Sequence, residues 1–182
     1  KLAKVRADIA AQEAYGAKLR ADGRKGFDNW LTHHRFGKTP DVTGPIASFS
    51  FDELADGKVP NAADPKLPGK SHEKPKSVAG KVVKAAELDG ENGFTFPGVG
   101  HFHRADGFTL ALWMRSPDAH VPRSVVVHHS KAPVDAGSRG YELLLEDGRV
   151  AFGLHHMWPG NSLKVRTKKP LKVKEWAHVT VT

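Results

Sequence analysis

One stretch of strict alternation constrains this chain most. In Gly107–Arg115, GFTLALWMR, residues Phe108, Leu110, Leu112 and Met114 fall on one side of an extended backbone. Thr109, Ala111, Trp113 and Arg115 fall on the other, because side chains alternate along a strand. One side is wholly apolar and the other mixes small, aromatic and charged groups. Such a strand sends one face into a core and turns the other toward a groove or solvent. Trp176–Thr182, WAHVTVT, alternates in the same way, with Trp176, His178, Thr180 and Thr182 against Ala177, Val179 and Val181.

More short strands flank these two. Ser124–Ser130 is β-branched, and Tyr141–Leu145 and Val150–Leu154 enclose Glu146-Asp147-Gly148-Arg149. An Asp-Gly pair between apolar runs is a hairpin signal, since both central residues of a type I′ turn need positive φ. Ile46–Phe51, Gly93–Phe96 and Ser162–Thr167 read as further strands, and Gly80–Gly90 as ordered chain. Residues 54–79 are polar, rich in Pro, Lys and Asp, and lack a period, so they read as a long surface loop. Six or more short strands with turns between them predict an all-β sandwich or barrel.

The beginning of the chain is different. Leu2, Val5 and Ile9 recur at helical spacing among many alanines, so residues 1–22 read as a helix. The stripe continues through Gln12, Gly16 and Leu19 as a heptad path with weak middle positions. Gly23 and Gly26 are the expected stop, with a second short helix over Phe27–His34. The segment reads either as a coiled-coil arm or as the tail of a preceding domain packed on its neighbour; the poor heptad favours the second. Phe36–Pro45 is a linker by its Gly, Pro, Asp and Thr content. The domain reading is therefore a helical extension 1–35, a linker 36–45 and a β domain 46–182.

Charge and composition narrow the function classes. The net charge of +8 is split between the ends: +5 over residues 1–40, −2 over 41–100 and +5 over 101–182. Lys164–Lys174, KVRTKKPLKVK, is the densest basic run. Such a run suits an anionic polymer or membrane surface, or simply guards a sheet edge. Basic residues are not interleaved with aromatics as single-strand binders need, which argues against nucleic acid. No apolar run approaches the roughly 20 residues of a membrane span. Without cysteine the chain holds no disulfide or zinc-thiolate site. It starts without Met and shows no signal peptide, which fits a piece of something longer.

Five stretches now stand in a telling order: FSFDE (Phe49–Glu53), GKVVKAAELDGENGF (Gly80–Phe94), DGFTLALWMR (Asp106–Arg115), GYELLLEDGRVAFGL (Gly140–Leu154) and WAHVTVT. Their order and spacing resemble a laminin-G-like jelly roll of the concanavalin A-like lectin/glucanase superfold, over roughly residues 46–182. The helix-linker-jelly-roll order also resembles part of large extracytoplasmic bacterial proteins, typical of planctomycetes, in which such a module follows a cytochrome-c-type domain. The resemblance implies an extracytoplasmic recognition module that binds carbohydrate or a protein partner. Family members continue past the last motif into a Tyr-Asp-Gly turn and further strands. The resemblance therefore implies that the rest of the jelly roll comes from beyond residue 182 or from another chain, and that 46–182 alone is not a stable monomer.

The residues themselves point to binding more than to catalysis. Jelly-roll glucanases carry paired carboxylates at alternate strand positions, where one attacks and one protonates. Glu142 and Glu146 share a strand side, but Leu144 stands between them and Asp147 belongs to a turn. Asp52-Glu53 point to opposite faces, and Glu87/Asp89 open a turn. There is no nucleophile elbow and no phosphate-binding glycine loop, so the chain reads as non-catalytic. The eleven histidines cluster, as in His101-x-His103, His128-His129 and His155-His156. They read as a pH-sensitive groove or a metal site, or as polar side chains on a solvated face. His155 follows Ala151 and Gly153, a small-residue floor. The candidate ligand-binding residues are Trp113, Arg115, Glu142, His155 and Trp158, expected to line one glycan-binding groove, with His128 and His129 behind them. No cofactor is expected within the chain apart from an open candidate for calcium in the acidic turn Asp89, Glu91 and Asn92. The competing readings are a structural domain packed on its own neighbours and a remote glycoside hydrolase.

Overall fold

The computed structural model describes residues 1–34, 44–54, 57–103, 105–116, 122–130 and 139–182. The expected linker, save for its last two residues, lies outside them. The chain divides into two compact units, Lys1–Gly44 and Pro45–Thr182.

In the first unit one helix, α1, runs unbroken from Leu2 to His34. The expected stop at Gly23 and Gly26 does not occur. Glycine inside a helix costs only about 1 kcal/mol relative to alanine, less than its neighbours return. Arg24 and Asp28 form an ion pair one turn apart at 3.0 Å. The Thr32 hydroxyl donates to the Asp28 carbonyl, and Phe27 stacks on Trp30.

The second unit is built of antiparallel sheets. Eleven strands follow in chain order: β1 (Lys58–Val59), β2 (Gly69–His72), β3 (Lys76–Ala79), β4 (Lys84–Glu87), β5 (Gly93–Thr95), β6 (Leu110–Arg115), β7 (Arg123–Ser130), β8 (Gly140–Glu146), β9 (Arg149–Met157), β10 (Asn161–Arg166) and β11 (Trp176–Val181). The main sheet has the order β10-β9-β8-β7, and β11 pairs with β6 in a second sheet. Two smaller sheets, β1-β2-β5 and β3-β4, complete the described strands. The stretch expected as a loop over 54–79 thus holds three short strands. Conversely, Ile46–Phe51 is not a strand. Its backbone is held by the Asn61 side chain, whose Oδ1 accepts from the Ser48 amide at 2.9 Å and whose Nδ2 donates to the Leu67 carbonyl. Asn61 is buried, so these bonds meet the requirement that enclosed polar groups be paired.

The core lies between the main sheet and the β6–β11 pair. Leu143, Leu145, Val150 and Phe152 face Val179, with Phe108, Leu110, Leu112 and Met114 packed against them. The apolar side predicted for GFTLALWM is the core side, and β6 alternates half-buried and exposed along its length. The β8–β9 hairpin turns through Asp147 and Gly148, at φ 49° and 73°. Both values are positive, as the type I′ turn demands. Two strands cover only part of the four opposite them. Leu154, Leu163 and Val165 share the core-facing side with Phe152, by register and alternation, yet are 40%, 62% and 58% exposed.

Candidate functional site

The outward face of the main sheet carries an enclosed charge. Alternation puts Tyr141, Leu143 and Leu145 inward on β8, so Glu142, Leu144 and Glu146 point out. Register then sets Glu142 opposite His128 on β7 and Gly153 on β9, with Lys164 of β10 next in line beyond Gly153. Glu142 is only 2% exposed. Its Oε1 lies 3.1 Å from His155 Nε2 and 3.9 Å from Lys164 Nζ, and its Oε2 lies 3.7 Å from Arg123 Nη2. Lys164 also binds the carboxylate of Glu146. Glycine at 153 makes this arrangement fit: a β-carbon there would collide with the His155 ring and press on Glu142 Cγ. The small-residue floor expected beneath a ligand is instead where the histidine lies down.

The packing leaves polar atoms unanswered. Glu142 Oε2 and both ring nitrogens of His155 are buried and form no hydrogen bond among the described residues. The 3.1 Å approach of His155 to Glu142 is close but lies off a hydrogen-bonding line. At the rim stands Trp158, just past β9 and 54% exposed. Its ring meets His155 edge-on at 5.6 Å, and the Lys164 ammonium sits 5.6 Å from its centroid.

The seven candidate residues do not form one face. Glu142, His155, His128 and Trp158 come together on the main sheet, where His128 Nδ1 is 3.0 Å from the Ser130 hydroxyl. His129 points to the other side of the same sheet, stacked on Tyr141 and touched edge-on by His101. Burial raises the Tyr141 phenol above its ordinary pKa, and its hydroxyl donates to the Gly100 carbonyl. Trp113 and Arg115 lie on the outward face of the β6–β11 sheet. There Trp113, 45% exposed, packs against His178 with Lys81 over its ring, while Arg115 covers Trp176. Arg123, Lys164 and Glu146 join the main-sheet site and were missed. Lys164 was visible only as one member of a basic run, and nothing local marks Arg123.

Metal ligation finds no gathered donors. Among the described residues no three His, Cys, Asp or Glu side chains converge as a metal site would require. In the acidic turn, Asp89 Oδ1 already accepts the amides of Glu91 and Asn92, and Asn92 Oδ1 accepts that of Asp89. Those oxygens cap their own turn.

A family model described as concanavalin A-like lectin/glucanases superfamily, in its laminin G form, matches residues 88–182, just over half of the chain. The chain belongs to this superfamily. The match spans β5 through β11 and so includes both faces described above. No curated protein and no solved structure matches the chain. Laminin-G-like domains are generally non-catalytic recognition modules of carbohydrate or protein and are often extracellular. No helix of the described residues is long and apolar enough to cross a membrane.

Proposed function

We propose that this chain is a non-catalytic module that binds carbohydrate through the outward face of its main sheet, outside the cytoplasm and within a larger protein. The observation that carries this reading is Trp158, a half-exposed ring set directly beside Lys164 and His155. An indole face stacks on the apolar face of a sugar ring, while nearby charged groups take the hydroxyls. Lys164 and Glu146 supply that donor and acceptor at the rim. Glu142 beneath them lies 3.9 Å from the Lys164 ammonium, and Glu142 and His155 offer unpaired polar atoms if the rim shifts. The burial of Glu142 supports the absence of glycosidase chemistry, since an enclosed carboxylate presents no surface to a glycosidic bond.

The test is a glycan panel at moderate salt, first with calcium and then with chelator, on the wild type and two variants. Saturable binding to one sugar class is expected, abolished by Trp158→Ala and retained by Trp113→Ala. Loss only in Trp113→Ala would move the site to the β6–β11 sheet. No binding by a folded protein would favour the second reading, a structural domain packed on its neighbours. The uncovered Leu154, Leu163 and Val165 support that alternative.

A further inference from the structure

The ion pairs around Lys164 are balanced in charge, and that bears on which sugars the site accepts. Lys164 and Arg123 bring two positive charges to this part of the main sheet, and Glu142 and Glu146 bring two negative ones. Glu142 is enclosed, so its charge stays in place. Glu146 stands higher. Register sets it between Arg123 on β7 and Arg149 on β9, yet its carboxylate reaches along the sheet to the Lys164 ammonium. Arg149 turns instead to the Lys168 carbonyl. The side chains of Lys164 and Glu146 are 23% and 21% exposed, which puts the pair at the rim, beside the Trp158 ring. Arg166, the next outward residue on β10, lies on the side of Lys164 away from Trp158.

We infer that Glu146 makes this site select neutral sugars and reject uronic acids. The inference rests on the carbohydrate reading above and names the sugar class within it. A neutral ring stacked on Trp158 leaves the charge balance intact, and its hydroxyls join the Lys164–Glu146 pair as donors and acceptors. A uronic acid brings a third carboxylate to the same place, which Glu146 already fills. The ligand must displace Glu146, tethered beside its lysine at high effective concentration, or lie against two carboxylates that share one ammonium. Like charges set side by side are disfavoured, and such a repulsive element is how a site tells related ligands apart. The net charge of +8 by itself predicts the opposite preference, so the two accounts separate.

Titration calorimetry tests this with oligosaccharides of glucose, galactose and mannose. Each is set beside the matching uronic acid oligosaccharide, in which a carboxylate replaces every hydroxymethyl group. Moderate salt screens charges more than about 10 Å away. The full chain is expected to bind one neutral series about tenfold more tightly than its uronic partner. Glu146→Gln should raise the uronic affinity about tenfold and erase the preference, the size of one charge interaction near a surface. Asp147→Asn removes the same charge one residue along, in the hairpin turn, and should leave the preference as it was. Tighter binding of the uronic form by the wild type, a preference that survives Glu146→Gln, or equal shifts in the two variants would each overturn the proposal. Failure of every one of these ligands would overturn it too, whereas the broader glycan panel judges the carbohydrate reading by itself.

Discussion

Glu142 is the residue whose surroundings say most. Its carboxylate is enclosed, with Arg123, His155 and Lys164 within 4 Å. Removing one partner of an enclosed charge cluster strands the others, so Glu142→Ala should lower stability by about 3 kcal/mol. Glu146 meets the same lysine nearer the surface, and Glu146→Ala should lose less than about 1 kcal/mol. Urea unfolding of the two variants side by side checks the contrast; equal losses would mean that enclosure of Glu142 has no energetic weight. Gly153→Ala should destabilise by about 1–3 kcal/mol, since its methyl group needs the space of the His155 ring. Asp89 behaves differently because it is exposed. The amides of Asn92 and then Glu91 hold its carboxyl below the usual range. A depressed folded-state pKa contributes stability above the unfolded value of about 3.9, and that contribution is lost as pH falls through the folded value. Asp89→Ala should therefore reduce the fall in urea midpoint below about pH 4, and an unchanged acid limb would exclude this turn as a source of it.

At the scale of elements, two features depend on glycine in opposite ways. The β8–β9 hairpin needs Gly148, whose φ of 73° a β-branched residue adopts only under strain. Gly148→Val should cost about 1–2 kcal/mol by urea unfolding, while leaving the strands on either side formed. In α1 the glycines oppose the element that contains them. A synthetic peptide of residues 1–34 should gain helix content by circular dichroism when Gly23 and Gly26 become alanine. No gain would mean that something other than propensity limits the helix. Helices this rich in glycine draw their stability from packing.

Across the whole β unit, the unequal sheets matter most. Leu143 is fully buried between them, whereas Leu163 and Val165 lie on the same side of the main sheet beyond the cover of β6 and β11. Leu143→Ala should cost about 2–5 kcal/mol, because it empties a packed site. Leu163→Lys with Val165→Lys should change stability by less than about 1 kcal/mol and reduce binding of a hydrophobic dye. A large loss from the lysine pair would show that this patch is covered in solution.

Alternation alone was enough to place β6 and β11, to put Leu112 and Met114 in the core, and to turn Trp113 and Arg115 outward. The Asp147-Gly148 hairpin was equally legible, because a two-residue turn is decided by its own backbone angles. Local signals end there. The sequence could not show that Ile46–Phe51 is held by Asn61 rather than by a sheet, since that bond spans thirteen residues. Nor could it separate Trp113 from Glu142. Both read as outward-facing, but they lie on different sheets, and the word "outward" has two directions in a sandwich. Arg123 and Lys164 reach Glu142 only through the lateral order β10-β9-β8-β7. A strand's two faces are fixed by the geometry of one chain, whereas which strands lie side by side is decided by burial of the whole core. The sequence by itself therefore determined β6, β11 and the β8–β9 hairpin with their inward sides, whereas the tertiary structure alone decided that Ile46–Phe51 is no strand and which side chains share a site.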